Sequence, residues 1–269
     1  DVKLSESRVQ GYRNFGTKIW NASRFCELNK ITNYDDFDPR SIEYPLNKWI
    51  MEEFISMRKL LDISLRDYRF NDAANIVYHF TWGTFCDWYL EFIKPHLNNE
   101  IDEYTDEIKS TCSYILDSIL ISLHPFMPFI TEEIWQNIKK RKNPLIIEPW
   151  ERDFDIDHDD QVISEIPHLI DIISSVRSIR VELNIKAKET LTLEIIEGDP
   201  TIDIVNLNLY LKKLAKVDVV EVEVFSKNSA IFGVSDADLS LSIPESVNLK
   251  NELSRVTKDQ EKIMNEISD

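Results

Sequence analysis

Apolar residues recur three and four positions apart through most of the first 140 residues, which is the spacing of helices with one buried face. In the first stretch, from residue 12 to about residue 28, the predicted buried positions are Tyr12, Phe15, Ile19, Ala22 and Cys26. Four more helices are predicted over residues 46–68, 71–92, 103–122 and 131–140, with Asn71 or Asp72 capping the third, Pro95 stopping it and Thr131 beginning the last. The pattern favours a mainly α fold in which residues 1–145 form an antiparallel helix bundle.

The third predicted helix is unusually aromatic. Its heptad-like stripe consists of Tyr78, Trp82, Phe85, Tyr89 and Phe92. Aromatic side chains also form stacking platforms for single-stranded nucleic acid. Because a stripe at helical spacing is more commonly a packing surface, we predict that these five side chains lie in the core.

The second half of the chain changes character. Residues 146–162, which include Pro149 and an acidic run, are predicted to be a linker. Residues 163–243 are predicted to form a small α/β connector domain, with strands at 190–197, 217–225 and 239–243 and helices at 163–182 and 204–214. Residues 244–269 are predicted to begin a truncated coiled-coil arm, whose heptad positions are Leu249, Leu253, Val256, Gln260, Ile263 and Ile267.

The composition argues against several kinds of reactive site. The chain has only 5 Gly and lacks both GxGxxG and GxxxxGK[ST], so a mononucleotide-binding α/β domain is not expected. The 5 His share no metal spacing, and the acidic run around His158 is not followed by the glycine that a calcium loop needs. We therefore predict no catalytic residue, no metal site and no bound cofactor.

The cysteines and the hydropathy favour an intracellular compartment. Cys26, Cys86 and Cys112 are far apart and odd in number, so we predict core thiols rather than disulfides or zinc ligands. No run approaches the roughly 18 apolar residues of a membrane span, and no secretory signal is recognisable, so we expect a cytoplasmic protein that does not enter a membrane. Because the chain opens at Asp1 rather than Met, we expect it to be part of a longer protein.

The charge is unevenly distributed. The net charge of −17 opposes nucleic-acid binding, yet residues 1–30 carry six basic residues against three acidic ones. On a helical wheel, six polar residues of the first helix fall within an arc of about 140°, which Phe25 interrupts: Arg13, Asn14, Thr17, Lys18, Asn21 and Arg24. Cations can neutralise phosphates and amides can bond base edges, so this arc predicts RNA contact; an ordinary solvated face is the alternative. The predicted RNA-binding residues are Arg13, Asn14, Lys18, Asn21 and Arg24, with Trp20 as a possible base stacker unless it packs inside.

Several longer strings resemble one known family. They are residues 11–25 (GYRNFGTKIWNASRF), 68–74 (YRFNDAA), 85–91 (FCDWYLE) followed by Lys94-Pro95, 124–135 (HPFMPFITEEIW) and 176–185 (VRSIRVELNI). In combination and in this order they closely resemble the C-terminal anticodon-binding region of the valyl-tRNA synthetase family. Strings like 124–135 occur across class I synthetases for large aliphatic amino acids, whereas residues 14–25 together with 85–91 point to valine.

The resemblance implies a tRNA-binding fragment of a ligase that joins valine to its tRNA using ATP. The family's HIGH-like and KMSKS-like signatures are absent from this sequence, and Lys3 to Ser7 only mimic the latter, so the ATP site belongs to a domain outside it. The family's editing domain is also absent. Expected partners are valine tRNA and the catalytic and editing domains of the same chain, with no membrane partner and a monomeric state.

Two other functions stay open at this point. The acidic charge and the heptad seam also suit a helical protein-interaction module. The equivalent region of an isoleucyl- or leucyl-tRNA synthetase is the second alternative. An enzyme acting independently is the least favoured, because no acid–base pair or nucleophile can be identified.

Overall fold

The computed structural model describes residues 5–31, 37–98, 100–101, 104–150, 160–200, 204, 206–227, 229–235, 237–244 and 247 of the 269. The chain divides into two compact units, Asp1–Ile166 and Pro167–Asp269. The described part of the first unit is helical, and that of the second combines helices with a sheet. This confirms a helix-rich fold with a small α/β part. The predicted coiled coil and His158 lie outside the described residues, and the finer domain boundaries stay predictions.

The first unit is built from helices that match most of the predicted ones. Short 3-10 turns at Pro39–Ser41 and Leu145–Ile147 supplement them. A π-helical segment, Phe80–Tyr89, joins α3 to α4 without a break and is called the π segment below. The α-helices are α1 (Glu6–Leu28), α2 (Pro45–Arg66), α3 (Phe70–His79), α4 (Leu90–Leu97), α5 (Thr105–Leu123) and α6 (Pro128–Ile138).

The prediction for the third helix was wrong at both ends. The helix begins at Phe70, and Asp72 forms an ion pair with Arg69 (Nη1–Oδ2 3.1 Å) instead of capping it. Pro95 lies inside α4 rather than stopping the helix. Proline removes one backbone hydrogen bond, but Pro95 and its neighbours Ile93 and His96 are buried, so packing outweighs that loss.

The start of α6 also differs from the prediction. The helix begins at Pro128, whose missing N–H is no disadvantage in a first turn. Thr131 is buried in the following turn, where its hydroxyl donates to the carbonyl of Met127 (2.9 Å) and lies 2.8 Å from Nδ1 of His124. A residue already used inside the turn does not serve as the cap.

The aromatic stripe forms part of the bundle core. Phe85, Tyr89 and Phe92 are buried, while Tyr78 and Trp82 are half-buried. The ring of Phe15 in α1 lies with its centroid 4.8 Å from that of Tyr78 and 6.3 Å from that of Trp82. The core prediction is therefore confirmed for Phe85, Tyr89 and Phe92, while the half-buried Tyr78 of α3 and Trp82 of the π segment pack against Phe15 of α1.

The buried face of α1 is shorter than predicted. Phe15, Ile19, Ala22 and Cys26 are at most 5% exposed, but Tyr12 is 65% exposed. Tyr12 lies at the edge of the stripe, where it faces the groove described below rather than the core. The prediction for Tyr12 is wrong because periodicity gives a direction on the helix without showing whether a neighbouring helix covers it.

A buried carboxylate holds α6 on α5. Asp117 in α5 pairs with Lys139 (Nζ–Oδ2 2.8 Å) and with Arg141 (Nη2–Oδ1 2.6 Å). The Arg141 guanidinium also lies 3.4 Å from the ring centroid of Trp135, a buried residue of α6. Because one charge pairs with two cations that follow α6, this cluster positions the helix that forms one wall of the groove.

The three cysteines are free thiols in the bundle core, as predicted. The sulfur atoms of Cys26 and Cys112 are 3.8 Å apart. Burial raises the pKa of Cys86 to about 12 and also raises that of Cys112. Buried thiols with raised pKa values are poor nucleophiles, which fits a packing role.

The second unit contains most of α7 (Asp160–Glu182) and a four-stranded sheet in the order β2-β1-β4-β3. The strands are β1 (Leu191–Ile196), β2 (Val217–Val222), β3 (Ser229–Val234) and β4 (Ala237–Ser242). β1 and β2 are parallel and are connected through α8 (Leu207–Leu214), whereas β4 is antiparallel to both β1 and β3.

β3 was not predicted, although the other three strands were. Its sequence, SAIFGV, includes Ser, Ala and Gly, which lower strand propensity. It is one of the two edge strands of the sheet, and its residue Ile231 is 62% exposed. Pairing with β4 along its whole length, rather than local propensity, therefore makes it a strand.

Candidate nucleic-acid interface

Helix α1 presents one buried and one open face. Its buried residues pack towards α5, α6 and the π segment. On the opposite side, the structure brings together the predicted polar residues in one lateral row. This row, called the α1 strip, consists of Arg13, Asn14, Thr17, Lys18, Asn21 and Arg24.

Most of the α1 strip is accessible to solvent. Arg13, Asn14, Asn21 and Arg24 are exposed, and Lys18 is half-buried. Each member lies three or four residues from another member, which is about one helical turn, so their side chains form a continuous polar surface. This surface offers guanidinium groups for phosphates and carboxamides that both donate and accept hydrogen bonds.

Lys18 differs from the two arginines of the strip. Its ammonium forms an ion pair with the carboxylate of Asp87 in the π segment and lies 5.0 Å from the ring centroid of Trp82. The ion pair places a negative charge at this edge of the strip. A polyanion that approached Lys18 would therefore meet a cation already partly neutralised.

The other edge of the strip borders a groove between α1 and α6. The groove has a volume of about 640 Å³. Its rim carries three large side chains, Tyr12 (65% exposed), Trp20 (36%) and Phe129 (90%). The remaining lining residues are Arg13, Gly16, Thr17, Met127, Ile130 and Glu133.

Gly16 lies in the α1 wall of the groove, facing side chains of the α6 wall. A Cβ atom at this position would lie 3.4 Å from Cδ1 of Ile130 and 3.8 Å from Cε of Met127. There is therefore room for no more than a methyl group between Gly16 and these two side chains. Trp20, predicted as either a packing residue or a base stacker, lies partly exposed on that rim with Arg13.

Sequence reasoning missed two residues of this rim. Tyr12 was assigned to the core stripe, and Phe129 was not singled out. The one sequence signal near Phe129 is Pro128, which favours the start of a helix and so places Phe129 in the first turn. No local pattern shows that a residue of α6 lies beside α1.

The chemical groups of this surface suit non-covalent binding. In the part of the chain that the structure describes, no group of three or more His, Cys, Asp or Glu side chains could hold a metal ion. Across the same residues, no helix is long and apolar enough to cross a membrane. The surface of α1 supplies charge, hydrogen bonds and stacking area, which are the means by which proteins hold unpaired RNA.

Comparison with known proteins agrees with this chemistry. The family model for the anticodon-binding domain of tRNA ligases matches residues 47–195. The valine–tRNA ligase of Bartonella henselae is 37% identical over 279 residues, which cover 99% of this chain and 30% of that protein. The valine–tRNA ligase of Agrobacterium fabrum is also 37% identical to this chain, over 96% of the chain and 28% of that protein. That of Brucella suis is 34% identical, over 99% of the chain and 30% of that protein.

The chain thus spans about 30% of the length of these relatives. The α1 strip precedes the residues matched by the family model but lies within the region shared with the relatives. Since the family model covers more than half of the residues, the chain belongs to the family of anticodon-binding domains of tRNA ligases.

Proposed function

We propose that this chain binds valine tRNA through the anticodon loop, as the anticodon-binding part of a valine–tRNA ligase. The observation that carries the proposal is the exposed α1 strip on a member of the anticodon-binding family. The identity of its relatives, which are valine–tRNA ligases, supports the choice of valine.

Each part of the surface has a proposed task. Arg13 and Arg24 neutralise phosphates of the loop, while Asn14 and Asn21 bond base edges. Lys18, held by Asp87, contributes less charge than the arginines. Trp20 stacks on a base at the rim of the groove, and Tyr12 and Phe129 extend the aromatic area there.

The ligation itself is proposed to occur in other domains of the longer protein. That protein would join valine to tRNA using ATP in a catalytic domain, and a separate editing domain would remove wrongly attached amino acids, since small apolar side chains are hard to discriminate by binding alone. This chain contributes recognition of the anticodon. We place its action in the cytoplasm and expect the isolated chain to be a monomer.

The test is a titration with two RNAs that differ only in the anticodon. Fluorescence anisotropy would measure the binding of this chain to a valine tRNA transcript and to the same transcript with its anticodon bases replaced. We expect at least tenfold weaker binding of the replaced transcript, because each lost base contact is worth about 1–3 kcal/mol. Equal binding of the two transcripts would contradict anticodon recognition.

Further controls separate the alternatives. Preferential binding of isoleucine or leucine tRNA would assign the chain to one of those ligases. Binding to none of these tRNAs at low salt would favour the protein-interaction module, for which the exposed aromatic rim of the groove would be the contact. Incubation with ATP, valine and tRNA should give no charged product.

A further inference from the structure

A second cationic surface lies in the other unit. Residues 177–190 and 212–218 contain seven basic residues and three acidic ones in a chain whose net charge is −17. We call this surface the basic pole. Its basic residues are Arg177, Arg180, Lys186, Lys188, Lys212, Lys213 and Lys216, of which all but Arg180 are exposed.

Two arginines of α7 bring the segments of the basic pole together. Nη2 of Arg180 donates to the carbonyls of Lys216 (2.7 Å) and Glu189 (2.8 Å), and its Nη1 donates to that of Lys186 (3.4 Å). Arg177 donates through Nε and Nη2 to the carbonyl of Leu214 (3.1 and 2.9 Å). The end of α7, the loop before β1 and the turn after α8 therefore converge on two guanidinium groups.

The sheet separates this positive end from a negative one. β1 and β2 are parallel, and both begin at the basic pole, with Leu191 opposite Val217. Both end beside acidic residues, since Glu197 follows β1 and Glu223 follows β2. Six-residue strands separate the two ends by roughly 17–20 Å, which exceeds the screening length of about 8 Å at physiological salt.

The basic pole is suited to phosphates rather than to bases. Its two segments contain no aromatic residue, so they offer no stacking platform. Lysine ammonium groups act as mobile point charges, which neutralise phosphates without reading sequence. Between Arg177 and Arg180 there is also a hollow of about 370 Å³ that Asn184 helps to line.

One polar atom beside this hollow is unsatisfied. Nε of Arg180 is buried and has no acceptor among the described residues, although the other two nitrogens of the guanidinium are bonded. Arg180 is 7% exposed, so its guanidinium is fixed by hydrogen bonds to the protein and has little contact with solvent. A fixed buried cation beneath exposed lysines deepens the positive potential at the surface.

We propose that the basic pole is a second contact for tRNA, one that binds the phosphodiester backbone outside the anticodon loop. This inference rests on the proposed function, because it names a further contact with the same RNA. It assigns to the second unit a contribution to affinity, whereas the α1 strip supplies anticodon selectivity. Binding at the basic pole is independent of base sequence and is weakened by salt.

The experiment compares two double variants of the full chain that lose the same charge. Lys186→Gln/Lys188→Gln neutralises two exposed lysines of the basic pole, and Lys59→Gln/Lys227→Gln neutralises two exposed lysines outside it. Binding to valine tRNA would be measured across a salt series, with circular dichroism confirming that both variants fold. Hydroxyl-radical footprinting would show which backbone positions each variant protects.

We expect Lys186→Gln/Lys188→Gln to reduce the slope of log K against log salt by about 1.8, and affinity near 0.1 M salt by roughly tenfold or more. The ratio of affinities for the valine and the anticodon-replaced transcripts should stay unchanged, and protection should be lost outside the anticodon loop. The control variant should resemble the unmodified chain.

Three results would overturn the inference. They are equal slopes for the two double variants, a loss of anticodon selectivity in the basic-pole variant, and an unchanged footprint. A different result would overturn the proposed function alone: the unmodified chain would bind both transcripts equally, while Lys186→Gln/Lys188→Gln still reduced the salt slope. Absence of all tRNA binding at low salt would overturn both.

Discussion

The α1 strip and the basic pole both collect positive charge on an acidic chain, but they are built differently. The strip comes from one helix, and its members follow each other at helical spacing within residues 13–24. The basic pole comes from segments up to about 40 residues apart in sequence, joined by hydrogen bonds from Arg177 and Arg180 to backbone carbonyls. The strip therefore depends on a single helix staying folded, and the basic pole depends on the whole α/β unit.

The two surfaces also differ in chemistry. The strip mixes amides with arginines and borders an aromatic groove, so it offers groups suited to bonding and stacking on bases. The basic pole is mainly lysine and has no aromatic neighbour within its own segments. A protein that must both find and select an RNA benefits from this division, because phosphate contacts give affinity and base contacts give specificity.

The largest effect is expected from Arg180. Arg180→Met keeps much of the aliphatic volume but removes the side-chain hydrogen bonds to three carbonyls, of which, among the described residues, only those of Lys186 and Lys216 also accept a backbone N–H, from Glu189 and Leu191. The loss should cost about 3 kcal/mol of unfolding free energy. Native-state hydrogen exchange should show lost protection in β1 and β2 and unchanged protection in α2.

The matched control for that change is Arg177→Met, which removes an exposed guanidinium that donates to the carbonyl of Leu214. It should cost about 1 kcal/mol. Equal losses for the two variants would show that the buried arginine does not hold the basic pole together.

The next effect concerns the α1 strip. Arg13→Ala/Arg24→Ala should weaken binding of valine tRNA by roughly tenfold or more and reduce the salt slope by between one and two units, because two phosphate contacts are lost. Anisotropy titrations in a salt series would measure both quantities. Lys59→Ala/Arg66→Ala, which removes two exposed cations of α2, is the control, and an equal response of both variants would remove the strip from the proposed interface.

A smaller effect concerns how the stability of the second unit depends on pH. Burial alone would raise the pKa of Glu194 in β1, but hydrogen bonds from the N–H and hydroxyl of Ser226 and from the hydroxyl of Ser240 outweigh it and lower the pKa. The unfolded chain then binds the extra proton, so this stabilisation is present above the ordinary glutamate pKa, near 4.3, and is lost as pH falls through the lower folded value.

Glu194→Gln should therefore destabilise the second unit by about 1 kcal/mol at neutral pH and flatten the loss of hydrogen-exchange protection in β1 below pH 5. In the first unit, burial and then the charge of Glu52 raise the pKa of Glu53. Its contribution to stability therefore changes with pH in the opposite direction to that of Glu194. Glu53→Gln should consequently leave the protection of β1 unchanged. An identical acid response in the unmodified chain and Glu194→Gln would refute this assignment.

The smallest effect tests the ion pair at the edge of the α1 strip. Asp87→Asn removes the carboxylate that pairs with Lys18 and should strengthen tRNA binding by about two- to threefold, with a slightly steeper salt slope. Glu197→Gln, which removes an exposed charge from the second unit, controls for net charge. Weaker binding by Asp87→Asn would mean that this carboxylate itself contacts the RNA.

Much of the fold was predictable because it follows from local periodicity. The 3–4 spacing predicted α2 and α5 closely and placed the end of α1 correctly, although α1 begins at Glu6 rather than at residue 12. Clusters of β-branched residues predicted β1, β2 and β4. The errors lie where tertiary packing outweighs local preference. Pro95 stays helical because its surroundings are buried, and β3 becomes a strand because β4 is paired beside it.

The candidate site shows the same limit. The wheel of α1 correctly grouped Arg13, Asn14 and Arg24 on an open face, since side-chain direction on a helix depends only on position. It could not show that Asp87 would pair with Lys18, because that carboxylate is 69 residues away in sequence. The RNA contacts of Arg13, Asn14 and Arg24 stay predictions.

The sequence by itself determined the helical bundle, the polar strip of α1, the buried thiols and, through its motifs, the resemblance to a tRNA-binding family. Only the tertiary structure decided that Tyr12 and Phe129 line one groove and that lysines from separate segments form the basic pole. The physical reason is that periodicity records which way a side chain points within its own helix or strand. What stands opposite that side chain depends on contacts between distant parts of the chain, which no local pattern encodes.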